Sequence, residues 1–546
     1  MEQILILGVL ALLGIAASHA LSPRVGIAAP LLLVALGVLA SVVPAMPEVE
    51  VDPEIILAGV LPPLLYAAAV QIPATDFRRE LRSISGLSLA LVLISTALLG
   101  VFFHWILGLS WPWALALGAL VSPTDPVATA IIKRLGVNPR VTTVLEGESM
   151  LNDAVALVLL RAAVAASAAS VTFWSVSGVF VMALTVAVII GWAVGRLNLW
   201  VRSHVKDTTV NTVITFTVPF IASIPAEAMG ASGLVAAVVA GLVTGNGAAR
   251  VLSPQHRVAD RQTWHALELV LEGAVYLILG LELIGVIEDV QANHQGVGRA
   301  AWIALAALVL SLVIRAGFVA PLMAGLRRSA ATVDRRQERI AADQAQLADL
   351  STPPPLTPLE RLSIRLRPGR PEEELHRRIH ARLVRAEADA TYQVSSRLGW
   401  RDGTLIVWSG MRGVVTIAAA QTLPADAPER SLLILIAFVV AVVSLGVQGG
   451  TAATLVRFLK PDPGQTPQQR AQERVELQRM LGEAADDARD ELQASADELD
   501  EIGEQLAVIH AQREVLLEAR MVGSFTSATL QSAMRELDAD QIRLEL

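Results

Sequence analysis

Runs of about 20 mostly apolar residues, joined by short polar connections, recur from the N-terminus to residue 457. Thirteen such segments are read, at roughly 3–21, 24–43, 53–72, 84–107, 112–132, 142–168, 172–195, 209–224, 231–246, 264–287, 298–325, 403–423 and 431–457. That length suits a helix crossing a bilayer, so an all-α polytopic membrane protein is predicted. The connections alternate in charge. One set carries Arg24; Arg78, Arg79 and Arg82; Lys133, Arg134 and Arg140; Arg196, Arg202 and Lys206; and Arg250, Arg257 and Arg261. The intervening set offers only Arg299 and Arg430 as basic residues, and the 44–52 connection carries Glu48, Glu50 and Asp52. Basic connections stay in the cytoplasm, so the N-terminus is expected outside and the C-terminal tail inside. An odd number of spans satisfies this. Ser18-His19-Ala20 resembles a cleavage site, but Glu2 and no basic residue precede the first apolar run, so a retained helix is expected.

Two regions break the pattern. Residues 326–402 hold 15 arginines and 11 acids and are interrupted by Pro353-Pro354-Pro355, Pro358, Pro368 and Pro371, which reads as a cytoplasmic loop within a transmembrane domain spanning 1–460. His376 and His380 lie four residues apart there, but without a third ligand a solvated helix face is the reading. Beyond Pro461 the chain becomes a polar, helix-favouring tail, 461–546. Its Leu492, Leu499, Leu506 and Ile502, Ile509, Leu516 repeat every seven residues. An amphipathic helix folding back on itself or on the loop is preferred to a coiled coil, because Arg513 interrupts one seam and Ser495 weakens the other.

Composition sharpens the class. The 546 residues are 17% charged, against about 25% in soluble proteins, and mean hydropathy is +0.54. The net charge of −8 is unevenly placed: the tail holds 19 acidic and 8 basic residues, a net of −11, leaving +3 on the rest. With no cysteine, disulfides, thiolate nucleophiles, iron–sulfur clusters and Cys-based zinc sites are excluded. None of the three lysines follows a glycine, so there is no phosphate-binding GK[ST] loop. Positive charge is too scattered for a nucleic-acid face, and membrane lipid is the expected surrounding.

Charges inside a bilayer are costly and mark function by default. In the fifth segment, Ser122-Pro123-Thr124-Asp125-Pro126 sets an acid between two prolines, which free backbone carbonyls where only a protein-lined or wet cavity tolerates them. Carbonyls, helix ends and a carboxylate together suit a small hard cation. A plain kink with a snorkelling Asp125 is the weaker alternative. At the start of the sixth segment, Glu146-Gly147-Glu148-Ser149-Met150-Leu151-Asn152-Asp153 puts Ser149 with Asp153, and Glu148 with Asn152, on shared helix faces. Helix capping explains Glu146, Glu148 and Ser149 but not the deeper Asn152-Asp153. In the twelfth segment, Ser409-Gly410-Met411-Arg412-Gly413 buries an arginine between glycines. Glu148 is its preferred partner, with Arg315 as a competitor that snorkelling explains equally well. Glu272, Glu282 and Arg161 are given packing or cavity-facing roles rather than ion ligation.

These residues together resemble the NhaP/NHE-type branch of the cation/proton antiporters. The matching stretches are Leu61-Pro62-Pro63-Leu64-Leu65, Ser122 to Ala128, Glu146 to Ala154 and Gly410-Met411-Arg412-Gly413, in this order over almost the whole membrane region. The resemblance implies thirteen helices in two inverted repeats, with interrupted fifth and twelfth helices crossing near mid-membrane, a homodimer in the cell membrane, and elevator-like alternating access. It implies exchange of Na+ for H+, with K+ and Li+ left open and no cofactor. Asp153 corresponds to the carboxylate shared by cation and proton, beside Asn152. Ser149, Thr124 and Asp125 correspond to further contributors to the transported ion, and Glu148 with Arg412 to a structural ion pair. An Asn-Asp pair is associated with electroneutral exchange. One departure stands out. Relatives often carry an acid two positions after the Leu-Pro-Pro-Leu-Leu stretch, whereas here that residue is Ala67, so water or Asp125 would supply the missing oxygen. A cation channel and, more remotely, an intramembrane aspartyl protease remain the rival readings; the sequence has neither a repeated carbonyl filter nor a Gly-x-Gly-Asp segment.

Overall fold

The computed structural model describes residues 2–25, 27–43, 52, 54–125, 127–168, 173–292, 296–348, 389, 392, 397–424, 426–495 and 500–545. Among them every ordered element is a helix. The chain forms two compact units, Met1–Ala320 with Trp400–Pro461, and Pro321–Gly399 with Asp462–Leu546. The histidine pair at 376 and 380 and the proline-rich stretches of the 326–402 region lie outside the described residues.

Helices occupy all thirteen expected spans. The first four are α1 (Glu2–Val25), α2 (Ala29–Ser41), α3 (Ile55–Gln71) and α4 (Thr75–Leu107). The fifth is divided into α5 (Trp111–Val121) and α6 (Val127–Arg134). Then follow α7 (Pro139–Ala168), α8 (Phe173–Ser203), α9 (Thr208–Ala228), α10 (Gly233–Val251), α11 (Pro254–Ala292) and α12 (Val297–Ala348). The twelfth is again divided, into α13 (Trp400–Trp408) and α14 (Val414–Gln421), and α15 (Arg430–Leu459) closes the set. The two divisions fall where the sequence places prolines or glycines around a charge. Short π-helical turns at Ile55–Val60, Gly86–Ala90 and Leu445–Gly449 widen three of the other spans.

Two helices run well past their apolar runs. α11 begins at Pro254 rather than near 264, and α12 continues to Ala348 rather than stopping near 325. Both extensions are rich in Arg, Gln and Ala, good helix formers that hydropathy does not register. Close packing joins α11 to α2. Gly37 of α2 and Gly280 of α11 meet backbone to backbone, so a Cβ on Gly280 would lie 2.9 Å from the Gly37 Cα.

In the second unit the tail forms α16 (Pro467–Ser495), α17 (Glu501–Val522) and α18 (Ser527–Glu545). Leu477, Ile509, Leu516, Leu530 and Leu537 form their shared core. Of the two seven-residue repeats, Ile502, Ile509 and Leu516 lie within α17, whereas Leu492 and Leu506 fall on different helices: the Asp500 side chain caps α17 by accepting from Gly503 N at 2.8 Å, and Gly523 ends it with φ 80°. Leu499 lies outside the described residues. Arg513, which spoils the apolar seam, turns to Asp538 of α18 at 3.1 Å, and both are buried.

Candidate functional site

The two divided spans meet at their breaks. Residues 122–125 leave the helix, and the Asp125 N–H donates to the Met411 carbonyl of the other break at 2.7 Å. The Asp125 carboxylate then serves both re-started helices. Oδ1 accepts from Val127 N at 2.8 Å, at the start of α6, and Oδ2 from Val414 N at 3.3 Å, at the start of α14. Tyr276 of α11 donates its hydroxyl to the same Oδ2 at 2.9 Å. One carboxylate therefore answers the unpaired N–H groups, and the positive ends, of two short helices. Arg412 complements it by answering carbonyls: its Nε donates to Val121 O at 2.8 Å and its Nη1 to Gly410 O, while its backbone N–H donates to Ser444 Oγ at 2.9 Å.

Glu148 pairs with Arg315, not with Arg412. The α12 guanidinium grips the carboxylate with both forks, Nη1 to Oε1 and Nη2 to Oε2 at 2.8 Å, and both residues are almost wholly buried. Arg315 Nε also donates to Ile406 O of α13 at 2.9 Å. The pairing expected from the sequence fails because the two breaks free carbonyls close to Arg412, and these take its donors. Snorkelling of Arg315 is ruled out by the same contacts.

Thr124 is the hub between the fifth and sixth spans. Its Oγ1 donates to Glu148 Oε1 at 3.2 Å and accepts from Asn152 Nδ2 at 2.6 Å. Asn152 Oδ1 is buried and has no hydrogen-bond partner among the described residues. Ser149 donates to Glu146 O at 3.2 Å, within its own helix. Asp153, one turn beyond Ser149, is 5% exposed, and no hydrogen bond to it occurs among the described residues. Asp125 and Glu148 lie within electrostatic reach of it. The structure thus brings Thr124, Glu148 and Asn152 into one network, commits Asp125 to the crossing, and leaves the Asp153 carboxylate unengaged.

Similarity to a known family then decides the lineage. The model described as the transmembrane region of sodium/hydrogen exchangers matches residues 8–342 and 381–458. The chain belongs to the sodium/hydrogen exchanger family. Among relatives in this family, the uncharacterized Na+/H+ exchanger YjcE of Escherichia coli is 36% identical over 270 residues, 47% of this chain and 49% of its own. The uncharacterized exchanger Mb2309 of Mycobacterium bovis is 28% identical over 520 residues, covering 93% of this chain and 83% of its own. The chain therefore spans about half of one relative and most of the other. The Na+/H+ antiporter ApNhaP of Aphanothece halophytica is 26% identical over 416 residues, 75% and 66% of the two chains. The solved structure of the sodium proton antiporter MjNhaP1 from Methanocaldococcus jannaschii shares the fold, with a TM-score of 0.57 at 16% identity over 84% of this chain and 99% of that one.

Several buried polar residues of the chain give little or no signal in its sequence. Tyr276 sits in an apolar run and reads as core. Arg202, counted among loop cations, is fully buried and donates to Asn211 Oδ1 at 2.5 Å, Thr215 Oγ1 at 3.3 Å and Asp260 Oδ2 at 2.6 Å. Asn211 and Thr215 lie four apart on α9, a one-face polar pair that was the available signal. Arg140 similarly pairs with buried Glu80. Of the acids given packing roles, Glu282 accepts from Gln421 Nε2 at 2.9 Å; Arg161 meets Glu227 at 3.2 Å near the surface.

The crossing makes a direct prediction at Gly413. A Cβ there would overlap the Asp125 carboxylate. Gly413→Ala must displace Asp125 from Val414 and Tyr276, at a cost of about 1–3 kcal/mol for overpacking alone, and is expected to abolish exchange. Gly446→Ala, whose nearest neighbour is Leu31 at 4.0 Å, is expected to leave yield and exchange unchanged. Purified yield and proteoliposome flux of the two variants check this.

Proposed function

We propose that the chain exchanges one monovalent cation, Na+, for one proton across the cell membrane by alternating access, with Asp153 as the carboxylate both ions share. The observation that carries this reading is the unengaged Asp153 carboxylate, buried beside a network whose other charges are already matched. An ionised carboxylate in a low-dielectric interior is costly, and either a proton or a cation relieves the cost by neutralising it. Whichever ion is bound, the site crosses the barrier neutral. An empty ionised site does not cross, and this couples the two fluxes.

Ser149, one turn before Asp153, and Thr124 supply hydroxyl oxygens for the cation, and the orphan Asn152 Oδ1 supplies an amide oxygen. These are hard donors suited to Na+ or Li+. Asn152 is neutral, so the site carries one charge and exchanges one ion for one. Asp125, braced by two helix starts and Tyr276, contributes negative potential and holds the crossing. Glu148 and Arg315 hold the sixth, eleventh and twelfth spans around the site. The reading extends to a homodimer in the plasma membrane, with the N-terminus outside and the acidic tail in the cytoplasm.

Proteoliposomes loaded at one pH and diluted into Na+, Li+ or K+ separately test this, first with the membrane potential clamped and then with it varied. The expected result is cation-dependent proton movement with Na+ whose rate ignores the potential. Cation current without proton movement would replace the exchanger reading by a channel.

A further inference from the structure

We infer that two polar contacts, Arg161 with Glu227 and Gln421 with Glu282, form a latch that closes the outer side of the transport unit and opens once in each cycle. The inference rests on the alternating-access reading. Its first support is how the helices divide. In one group α10 packs against α3, α8 and α9, and α11 against α1, α2 and α3. In the other α4, α7 and α15 pack around the divided spans, and Arg315 joins α12 to them. Glycine packing follows the same division. A Cβ would come closer than 3.0 Å to a neighbouring helix at Gly191 and Gly195 of α8 against α10, at Gly241 and Gly245 of α10 against α3, and at Gly118 of α5 against α4. Such close contacts fix helices to one another. Among the described residues no glycine approaches a helix of the other group that closely. The boundary between the groups is therefore where one can shift against the other.

Polar contacts do cross this boundary, and two of them lie on one face of the membrane. Arg161 of α7 meets Glu227 of α9 at 3.2 Å, and Gln421 Nε2, at the end of α14, donates to Glu282 Oε2 of α11 at 2.9 Å. These helices belong to the sixth, eighth, tenth and twelfth spans, which run in the same direction, so their C-terminal parts share a face. With the N-terminus outside, that face is the outer one. Gln421 is held in place from its own group: Arg430 Nη2 donates to the Gln421 carbonyl and Nε to Leu423 O, both at 2.8 Å. A third contact, Tyr276 with Asp125, sits at the crossing and favours neither side.

Both outer contacts exist while the outer ends of the two groups are together, which shuts the way from Asp153 to the outside. Exposing Asp153 on that side parts the groups there and breaks both. Their strength suits a device that opens in every cycle. The Arg161 and Glu227 side chains are 57% and 35% exposed, so water screens the pair, and such a contact biases an equilibrium only a few-fold. Gln421 and Glu282 are half-buried, and a hydrogen bond to a carboxylate adds to the same bias. The latch thus weights the two access states without trapping either.

The chain has no cysteine, so an introduced pair supplies all its thiols. The full-length Arg161→Cys/Glu227→Cys protein in proteoliposomes is treated with a short bis-methanethiosulfonate, each thiolate displacing one sulfinate, and cation-driven proton flux is measured before and after. Linking is expected to reduce flux to the level of protein-free liposomes, and dithiothreitol to restore it. A monofunctional methanethiosulfonate on the same protein is expected to leave flux within about twofold of the untreated level. Linking Lys133→Cys to Glu146→Cys, at a pair 2.8 Å apart inside one group, is expected to leave flux unchanged. Gln421→Ala removes the second contact and is expected to slow linking of the 161–227 pair about twofold to fivefold, because the two contacts close together. If Arg161→Cys/Glu227→Cys does not assemble, Gln421→Cys/Glu282→Cys carries the same test. Undiminished flux through the linked protein overturns the latch. So does an equal loss on monofunctional labelling or on linking the Lys133–Glu146 pair, or a linking rate that ignores Gln421→Ala. Cation current without proton movement in the wild type overturns alternating access instead, whatever linking does.

Discussion

Replacing Asp153 by asparagine is expected to reduce cation-driven proton flux to the level of protein-free liposomes. The substitution keeps the volume and planarity of the side chain and removes only the charge and the exchangeable proton. Thr124, Asn152 and Glu148 keep their mutual hydrogen bonds, because none of them uses Asp153. The variant is therefore expected to fold and purify like the wild type. Burying an amide costs less than burying an ionised carboxylate, so its thermal unfolding should lie no lower. Loss of flux with retained stability separates a chemical role from a structural one. Substantial residual exchange by the folded variant would move the shared site elsewhere, and Asp125 would be the first position to test in the same assay.

The crossing of the divided spans could be anticipated because its cause is local. Pro123 and Pro126 cannot continue a helix around Asp125, and glycines flank Arg412, so both breaks are written into short stretches of sequence. Thr124, Asp125, Glu148, Asn152 and Asp153 stood out for the equally local reason that charges and amides are expensive within an apolar run. What needed the structure was pairing. Arg315 and Glu148 are 167 residues apart, and the sequence offers two arginines for one carboxylate. Only the position of the carbonyls freed by the breaks decides between them. Arg202 and Asp260 were missed for another reason. Both lie where hydropathy places the edges of segments, yet α8 and α11 continue beyond those edges and bury them. Tyr276 gives no signal at all, since a single hydroxyl in an apolar helix is indistinguishable from core until its partner is seen. In the tail the seven-residue spacing holds for Ile502, Ile509 and Leu516 within α17, whereas the cap at Asp500 puts Leu492 and Leu506 on separate helices that pack on one another.

The pairing decided by those carbonyls carries the second large effect. Arg315→Met is expected to destabilise the chain by about 3–5 kcal/mol, the cost of leaving one partner of a buried ion pair uncompensated. Ile406 O also loses its donor. Against a total stability of about 5–15 kcal/mol, this is a large fraction, and a markedly lower unfolding temperature is expected. Adding Glu148→Gln to Arg315→Met removes the stranded charge and leaves an amide that can still accept from Thr124, so the double variant is expected to recover most of the loss. Arg412→Met behaves differently. It strips donors from Val121 O and Gly410 O, at about 1–3 kcal/mol for each buried acceptor left unpaired, and strands no carboxylate. Glu148→Gln should not rescue it. Thermal unfolding of the detergent-solubilised variants reads all four effects on one scale. Rescue of Arg412→Met by Glu148→Gln, without rescue of Arg315→Met, would reassign Glu148 to Arg412.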